Sequence, residues 1–200
     1  MINEDELLAC TDPLALFESW YGEVQKNPEI REPTAMTLAT VDHLGRPSLR
    51  KVLLKNFSAE RGFVFYTNYL SHKGQDLAAN PMTALLFYWD QISQQIKIQG
   101  RAEKVSRAES EKYWHSRPYE SKLAGWVSQQ SKPVQGSLKA AYEKAEHQWH
   151  GHDIPCPEHW GGYVVKPSVI EFWIGHKHRL HTSVRFEQIN QSWLRQQLYP

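Results

Sequence analysis

Apolar residues at Leu14, Phe17, Trp20, Tyr21 and Val24 recur at the spacing of one helix face, behind Asp12 as N-cap and Pro13 in the first turn. This predicts an N-terminal segment, residues 1–33, with one helix, ahead of a single domain over residues 34–200. From Thr34 the period shortens. The runs "TAMTLATVD", "SLRKVLLKNF" and "FVFYTN" are rich in β-branched and aromatic residues and are separated by glycine-containing turns, the pattern of an antiparallel meander. A short helix fits "SHKGQDLAAN" before Pro81, and strands resume in "MTALLFYWD" and "QQIKIQGRAEKV".

Ser106 and Glu109 form a capping box that opens a helix, which Pro118 must kink or restart because it lacks the N–H that would bond one turn back. Further helices fit "ESKLAGWVS" and "LKAAYEKAEHQWH", and "HDIPCPEHWGG" reads as a loop by its prolines and glycines. The tail returns to strands in "YVVKPSVIEFWIG", "RLHTSVRFEQI" and "SWLRQQLYP", with a hairpin turn at Asn190 and Gln191. The fold class expected is mainly β with flanking helices (α+β), a small closed barrel rather than an open sheet.

Charge then narrows the chemistry. With 23 basic and 22 acidic side chains, no overall field draws the protein to nucleic acid or to an anionic membrane, so any anion site is local. No apolar run approaches the length of a membrane span, the first residues carry no secretory pattern, and the two cysteines, Cys10 and Cys156, lie far apart. A cytoplasmic protein is expected. Eight tryptophans and nine tyrosines supply packing area and suit a flat heteroaromatic ligand.

Four cation-rich clusters stand out. "RKVLLK" puts Arg50 and Val52 on one strand face and Lys51, Leu53 and Lys55 on the other, which suits either an anion or a solvated edge strand. Tyr66, Thr67, Ser71, His72 and Lys73 lead from a strand into a helix N-terminus, a place for a phosphate monoester or for ordinary capping. Tyr113, Arg117 and Ser121 recur every fourth position, as on one helix face, although Pro118 weakens that reading. Last, "GHKHRLHTSVRF" holds His176, His178 and His181 among Lys177, Arg179 and Arg185. The ligand set is poor for zinc, so no metal is expected, whereas Arg179 and His181 on one strand face suit an anionic, proton-exchanging substrate. Together the clusters suggest two phosphorylated small molecules.

In the order and spacing of "EPTAMTLATVD", "RKVLLK", "VFYTN", "YWHSRPYESKLAGWVSQQS", "HWGGY", "IEFW" and "RLH", nearly the whole chain resembles the pyridoxamine (pyridoxine) 5'-phosphate oxidase family. The resemblance implies a split β-barrel that binds FMN at the interface of a homodimer. It also implies oxidation of pyridoxamine 5'-phosphate and pyridoxine 5'-phosphate at C4' to pyridoxal 5'-phosphate, with O2 as acceptor and H2O2 as by-product. It assigns Arg50, Lys51, Val52, Leu53, Leu54, Lys55, Tyr66, Thr67, His72, Lys73, Gln95, Gln130, Ser131, Trp173 and Ser183 to FMN. It assigns Lys55, Tyr113, Arg117 and Ser121 to the substrate phosphate, with Arg179 and His181 as catalytic residues over the pyridine ring.

Three departures accompany the likeness. Thr182 and Ser183 stand where the family usually has aspartate and an FMN-contacting arginine, and His72 stands where arginine is usual. A lost charge-assisted hydrogen bond is worth roughly 1.5–3 kcal/mol, so weaker FMN binding is expected unless Arg185, on the same strand face as Ser183, substitutes. An N-terminal lid bearing an Arg and a Tyr, frequent in the family, is not read ahead of the first helix, so a less covered site is expected. The alternatives are an FMN oxidase of the phenazine type and a degenerate split-barrel protein that binds FMN or pyridoxal phosphate without oxidase activity.

Overall fold

A computed structural model describes residues 4–200. Nine strands, β1 (Ala35–Val41), β2 (Pro47–Leu53), β3 (Asn56–Ser58), β4 (Gly62–Asn68), β5 (Met82–Trp89), β6 (Gln94–Lys104), β7 (Trp160–Ile174), β8 (Thr182–Ile189) and β9 (Ser192–Leu198), pair antiparallel in one curved sheet. Its order is β2-β1-β5-β6-β7-β4-β3, and β8 branches from β7 to carry β9. The branch is possible because β7 is 15 residues long: its first half pairs β4 and its second half pairs β8. The register slips between Gln99 and Gly100, where Ser168 has no partner, and the strand bends there.

The sheet does not close as the alternation suggested. Its two path ends, β2 and β3, are joined covalently through Leu54 and Lys55, and Lys55 N–H bonds the Val64 carbonyl. "SLRKVLLKNF" is therefore two strands with a corner at Leu54, which turns inward and is buried.

Two helices, α1 (Glu4–Ala9) and α2 (Pro13–Lys26), precede the sheet where the sequence indicated one. Only Leu7 of α1 is buried, so the short helix has no apolar repeat to read. Helix α2 follows the expected pattern: Asp12 accepts from Leu14 N–H and Ala15 N–H, and Phe17 and Trp20 are fully buried in the main core. The Phe17 ring lies 4.6 Å from Phe57 and 4.8 Å from Phe63, and Trp20 lies 5.1 Å from Phe172. Inside the curve, Leu38, Phe63, Phe65, Phe87, Ile96, Ile98, Phe172, Val184 and Phe186 complete the main core.

Helix α3 (His72–Ala79) links β4 to β5, while α4 (Arg107–His115), α5 (Tyr119–Val127) and α6 (Leu138–Trp149) link β6 to β7. These last three gather a second core of Trp114, Leu123, Ala145, Ile154 and Trp160 on the outside of β4 and β7. The groove between that layer and the sheet holds the site.

"WGGY" is strand, not the end of a loop. Gly161 pairs Thr67 and Gly162 pairs Tyr66, and a Cβ on Gly162 would sit 2.8 Å from the Tyr66 ring. The glycine is there so that an aromatic ring can lie flat against the neighbouring strand.

Candidate functional site

Between β2, β4 and the helices α3, α4 and α5 lies a cleft of about 500 Å³ lined by Lys51, Val52, Leu53, Lys55, Tyr66, Thr67, Lys73, Tyr113, Arg117, Ser121 and Gln130, all anticipated from the sequence. Asn68, Ala124, Gly125, Ser128 and Trp160 complete the wall and were not anticipated. Trp160 was hidden in a run that reads as loop, and Asn68 ends a strand without a charge to mark it.

Tyr113, Arg117 and Ser121 do not share one helix face. Helix α4 stops at His115 and α5 starts at Tyr119, with Pro118 between them in an extended conformation. The three side chains converge because the chain turns at Arg117 and presents a residue from each helix and one from the corner. The Arg117 guanidinium is sandwiched in aromatic surface, its carbon 4.9 Å from the Trp114 ring centre and 4.8 Å from that of Trp160. Its Nη1 is buried and has no hydrogen-bond partner among the described residues, and burial lowers its pKa. A guanidinium stacked in place, half-buried and with a buried nitrogen left unpaired, favours an anion. Gly125 lets α5 approach it closely, since a Cβ there would stand 3.0 Å from Nη1.

The aromatic wall continues outward. Tyr66 stacks on Tyr113 at 4.0 Å with 15° between the planes, and on Trp160 at 5.4 Å with 9°. Burial, with Glu109 close by, pushes the Tyr66 hydroxyl up to about 12, so it stays a phenol and a donor. Arg107 holds the wall in place through bonds from Nη1 to the Pro157 carbonyl at 2.9 Å and the Trp160 carbonyl at 3.2 Å.

At the other end is the N-terminus of α3, capped by Ser71 through Gly74 N–H. Lys73, 7% exposed, bonds the Ser71 hydroxyl at 3.3 Å. Burial and the charge of Arg50, opposed by Asp76, bring its pKa down to about 8. Thr67 Oγ1 bonds Gln130 Oε1 at 3.4 Å and closes that corner. Lys51 lies on the rim of the cleft, bonded to Glu32 at 2.6 Å, on β2, an edge strand of the chain.

Other anticipated residues lie elsewhere. Arg50 points beneath the strand, bonding Thr40 Oγ1 at 2.6 Å and lying 3.7 Å from Asp76, where it braces the floor of the cleft rather than lining it. His72 is exposed and faces a neighbouring groove with Asp42, His43 and Arg46. Ser131 takes a left-handed turn (φ 71°) in the exposed loop after α5.

Gln95, Trp173 and Ser183 form a cross-strand row, Gln95 opposite Trp173 and Trp173 opposite Ser183, on the outer face of β6, β7 and β8. Ser183 donates to Glu171 at 3.3 Å, and Arg185 sits opposite Glu171 with Nε buried and without a partner among the described residues.

Arg179 and His181 are not on a strand. β8 begins only at Thr182, and the residues before it turn through left-handed conformations at His178 (φ 64°) and Arg179 (φ 63°). The basic run is a loop because a β7–β8 connection must reverse the chain there, which alternation alone could not reveal. Arg179 is exposed, and the His181 ring packs on Trp173 at 4.8 Å. His181 Nδ1 accepts the His176 N–H at 3.1 Å, so the neutral ring carries its proton on Nε2 and presents a donor there. Neither residue lines the cleft formed within one chain.

Comparison with known proteins agrees over the full length. Residues 24–149 match the family model described as pyridoxamine 5'-phosphate oxidase, and residues 160–200 match that described as the pyridoxine 5'-phosphate oxidase C-terminal dimerisation region. A pyridoxine/pyridoxamine 5'-phosphate oxidase of Janthinobacterium sp. (strain Marseille) is 47% identical over 198 residues, 98% of this chain and 92% of its own. That of Ralstonia pickettii (strain 12J) is 48% identical over 190 residues, 94% of this chain and 89% of its own. Among solved structures, PhzG from Burkholderia lata 383 in complex with tetrahydrophenazine-1-carboxylic acid is similar with a TM-score of 0.92 and 29% identity, over 100% of this chain and 98% of that one. A pyridoxamine 5'-phosphate oxidase-related, FMN binding protein of Nostoc punctiforme PCC 73102 shares the fold (TM-score 0.76, 14% identity, 92% of this chain and 97% of that one). The antiparallel half-barrel with flanking helices is the split-barrel architecture of these neighbours.

Proposed function

The chain belongs to the pyridoxamine 5'-phosphate oxidase family of oxidoreductases, and on that premise we propose that it oxidises pyridoxine 5'-phosphate and pyridoxamine 5'-phosphate to pyridoxal 5'-phosphate, with bound FMN and O2. The observation that carries this reading is the half-buried guanidinium of Arg117, its buried Nη1 without a partner among the described residues, set beside Lys55, Tyr113 and Ser121 in one cleft. One strong cation fork with a lysine, a phenol and a hydroxyl matches the charge and donor demand of a phosphate ester.

The residues also fit the cofactor. Lys73 and the Ser71-capped end of α3 hold a second anion-binding pole in the same cleft, and Thr67, Gln130 and the backbone of Val52 and Leu53 supply the polar edge for a flat ring system. FMN held there would supply the chemistry of accepting a hydride equivalent from the substrate's C4' and passing the two electrons to O2, with H2O2 as by-product. The protein's own part is to hold two anionic ends at fixed places, to set the substrate ring against the aromatic wall and to keep bulk water out.

Completion of the site calls for a second copy. Lys51 and Leu53 share the outer sheet face with Gln95, Trp173 and Ser183, and that face exposes Leu49 (69%) and Tyr88 (57%). A homodimer packed on it buries these residues and brings the β6–β8 row and the Arg179–His181 loop of one copy to the cleft of the other. There Arg179 offers a cation to an anionic substrate, and His181 offers its Nε2–H as a hydrogen-bond donor rather than a vacant base at that atom.

The similarity to PhzG favours a second reading, oxidation of a reduced carboxylated ring system. Steady-state turnover separates them. Pyridoxine 5'-phosphate is expected to exceed unphosphorylated pyridoxine in kcat/KM by about a thousandfold or more, because pyridoxine leaves the Arg117 pole unpaired. A higher kcat/KM for tetrahydrophenazine-1-carboxylic acid than for pyridoxine 5'-phosphate would overturn the proposal in favour of the second reading.

A further inference from the structure

The loop that carries Arg179 and His181 is closed by side chains from three places in the sequence. At its start, His176 N–H donates to His181 Nδ1 at 3.1 Å, and the His176 ring Nε2 meets Thr182 Oγ1 at 3.1 Å. Thr182 is the first residue of β8 and is 6% exposed. Its hydroxyl donates to the carboxylate of Glu4 on α1, which also lies 3.3 Å from His176 Nε2.

One assignment of protons satisfies this set: Thr182 gives its single proton to Glu4 and its oxygen accepts from His176 in the tautomer that carries a proton on Nε2. Helix α1 is anchored for the purpose: Leu7 is fully buried in the main core, with Leu8 and Cys10 packed against it. The two left-handed residues between the closing bonds, His178 and Arg179, are non-glycine and strained, so the loop keeps its shape only where its ends are held.

We propose that Glu4, Thr182 and His176 form a hydrogen-bonded relay from α1 that fixes the His181 ring in its Nε2–H tautomer and orientation, making Glu4 and His176 positioning residues for the oxidation. The catalytic consequence rests on the function proposed above, but the relay itself is a property of the flavin-free protein. Glu4 reaches the loop from 178 positions away, so nothing in the local pattern around "RLHTS" announces it. The carboxylate that orders the loop comes from the N-terminal helix, not from the strand that carries the loop.

The test uses the full-length chain with Glu4→Ala, Thr182→Val and, as the conservative variant, Thr182→Ser. The first readout is the nitrogen NMR of the His181 ring in flavin-free protein at a pH where the ring is neutral. Wild type and Thr182→Ser are expected to show one Nε2–H tautomer, and Glu4→Ala and Thr182→Val a mixture of both. The second readout is turnover with saturating FMN. Here kcat is expected to fall about five- to tenfold in Glu4→Ala and Thr182→Val, the effect of one lost orienting hydrogen bond, while FMN affinity stays within about twofold. An unchanged His181 tautomer in both disruptive variants overturns the relay. A mixed tautomer with wild-type kcat overturns its positioning role. If wild type shows no turnover but the tautomer still responds, the oxidase reading fails and the relay stands.

Discussion

Replacing Arg117 with alanine is expected to lower kcat/KM for pyridoxine 5'-phosphate by about a hundredfold or more, mainly through KM, while leaving FMN bound. The size follows from geometry. The guanidinium lies between Trp114 and Trp160 with a buried, unpaired Nη1, so under the proposed function a substrate phosphate would supply the partner that the protein withholds. Arg117→Lys is expected to recover only part of the loss, because an ammonium neither forks nor stacks in the aromatic slot. Steady-state kinetics with FMN titrations of both variants check this. A KM unchanged in Arg117→Ala would remove the phosphate from this pole of the cleft.

Replacing Lys73 with methionine is expected to weaken FMN binding by about one to two decades, the worth of a charge-assisted hydrogen bond, with kcat at saturating FMN little altered. The wild-type protein should also show a characteristic pH dependence. Lys73 has a pKa held down to about 8, first by burial and then by Arg50. Below pH 8 it is already an ammonium and FMN binding takes up no proton there. Above pH 8 it is neutral and must be protonated as the phosphate binds, so affinity falls as pH rises through that value. A phosphate ester's own second ionisation, near pH 6, lies well below this window. Fluorescence titrations of FMN between pH 7 and 10 measure the fall in wild type and its absence in Lys73→Met. An equal fall in both would assign it to another group.

These two residues also mark how far the sequence could be read. The "YTNYLSHKG" and "RPYES" runs placed a lysine at a helix start and an arginine beside a proline, and the fold brings both into one cleft. The route differed from the pattern: Tyr113, Arg117 and Ser121 meet at a break between two helices, not along one. Strand alternation was reliable where one face is core, as in β1, β5 and β6, because burial there follows the period of two. It failed where the backbone served something else. Gly161 and Gly162 of β7 make room for the Tyr69 and Tyr66 side chains and so look like loop. The corner at Leu54 splits an apolar run into two strands, and the reversal before β8 takes Arg179 off the sheet. Helix α1 was unreadable because a single buried leucine makes no pattern, yet its Glu4 reaches the His176–Thr182 pair.

Gln95, Trp173 and Ser183 were grouped with the cleft residues by resemblance alone, and within one chain they stand on a separate stretch of the outer face. A linear sequence does not say which copy a residue serves. The weakened FMN grip expected from Ser183 falls on this same row; Arg185, two residues on along the same face, has an Nε without a partner among the described residues while its Nη2 pairs with Glu187 at 3.4 Å.

The most direct measurement is the reductive half-reaction without oxygen: the protein is saturated with FMN, pyridoxine 5'-phosphate is added, and the oxidised-flavin absorbance is followed. Bleaching that recovers on admitting air, with pyridoxal 5'-phosphate formed in proportion, is the expected result. Persistent oxidised flavin, with FMN demonstrably bound and the substrate phosphate in the cleft, would contradict the oxidase and leave a flavin-binding barrel without this chemistry.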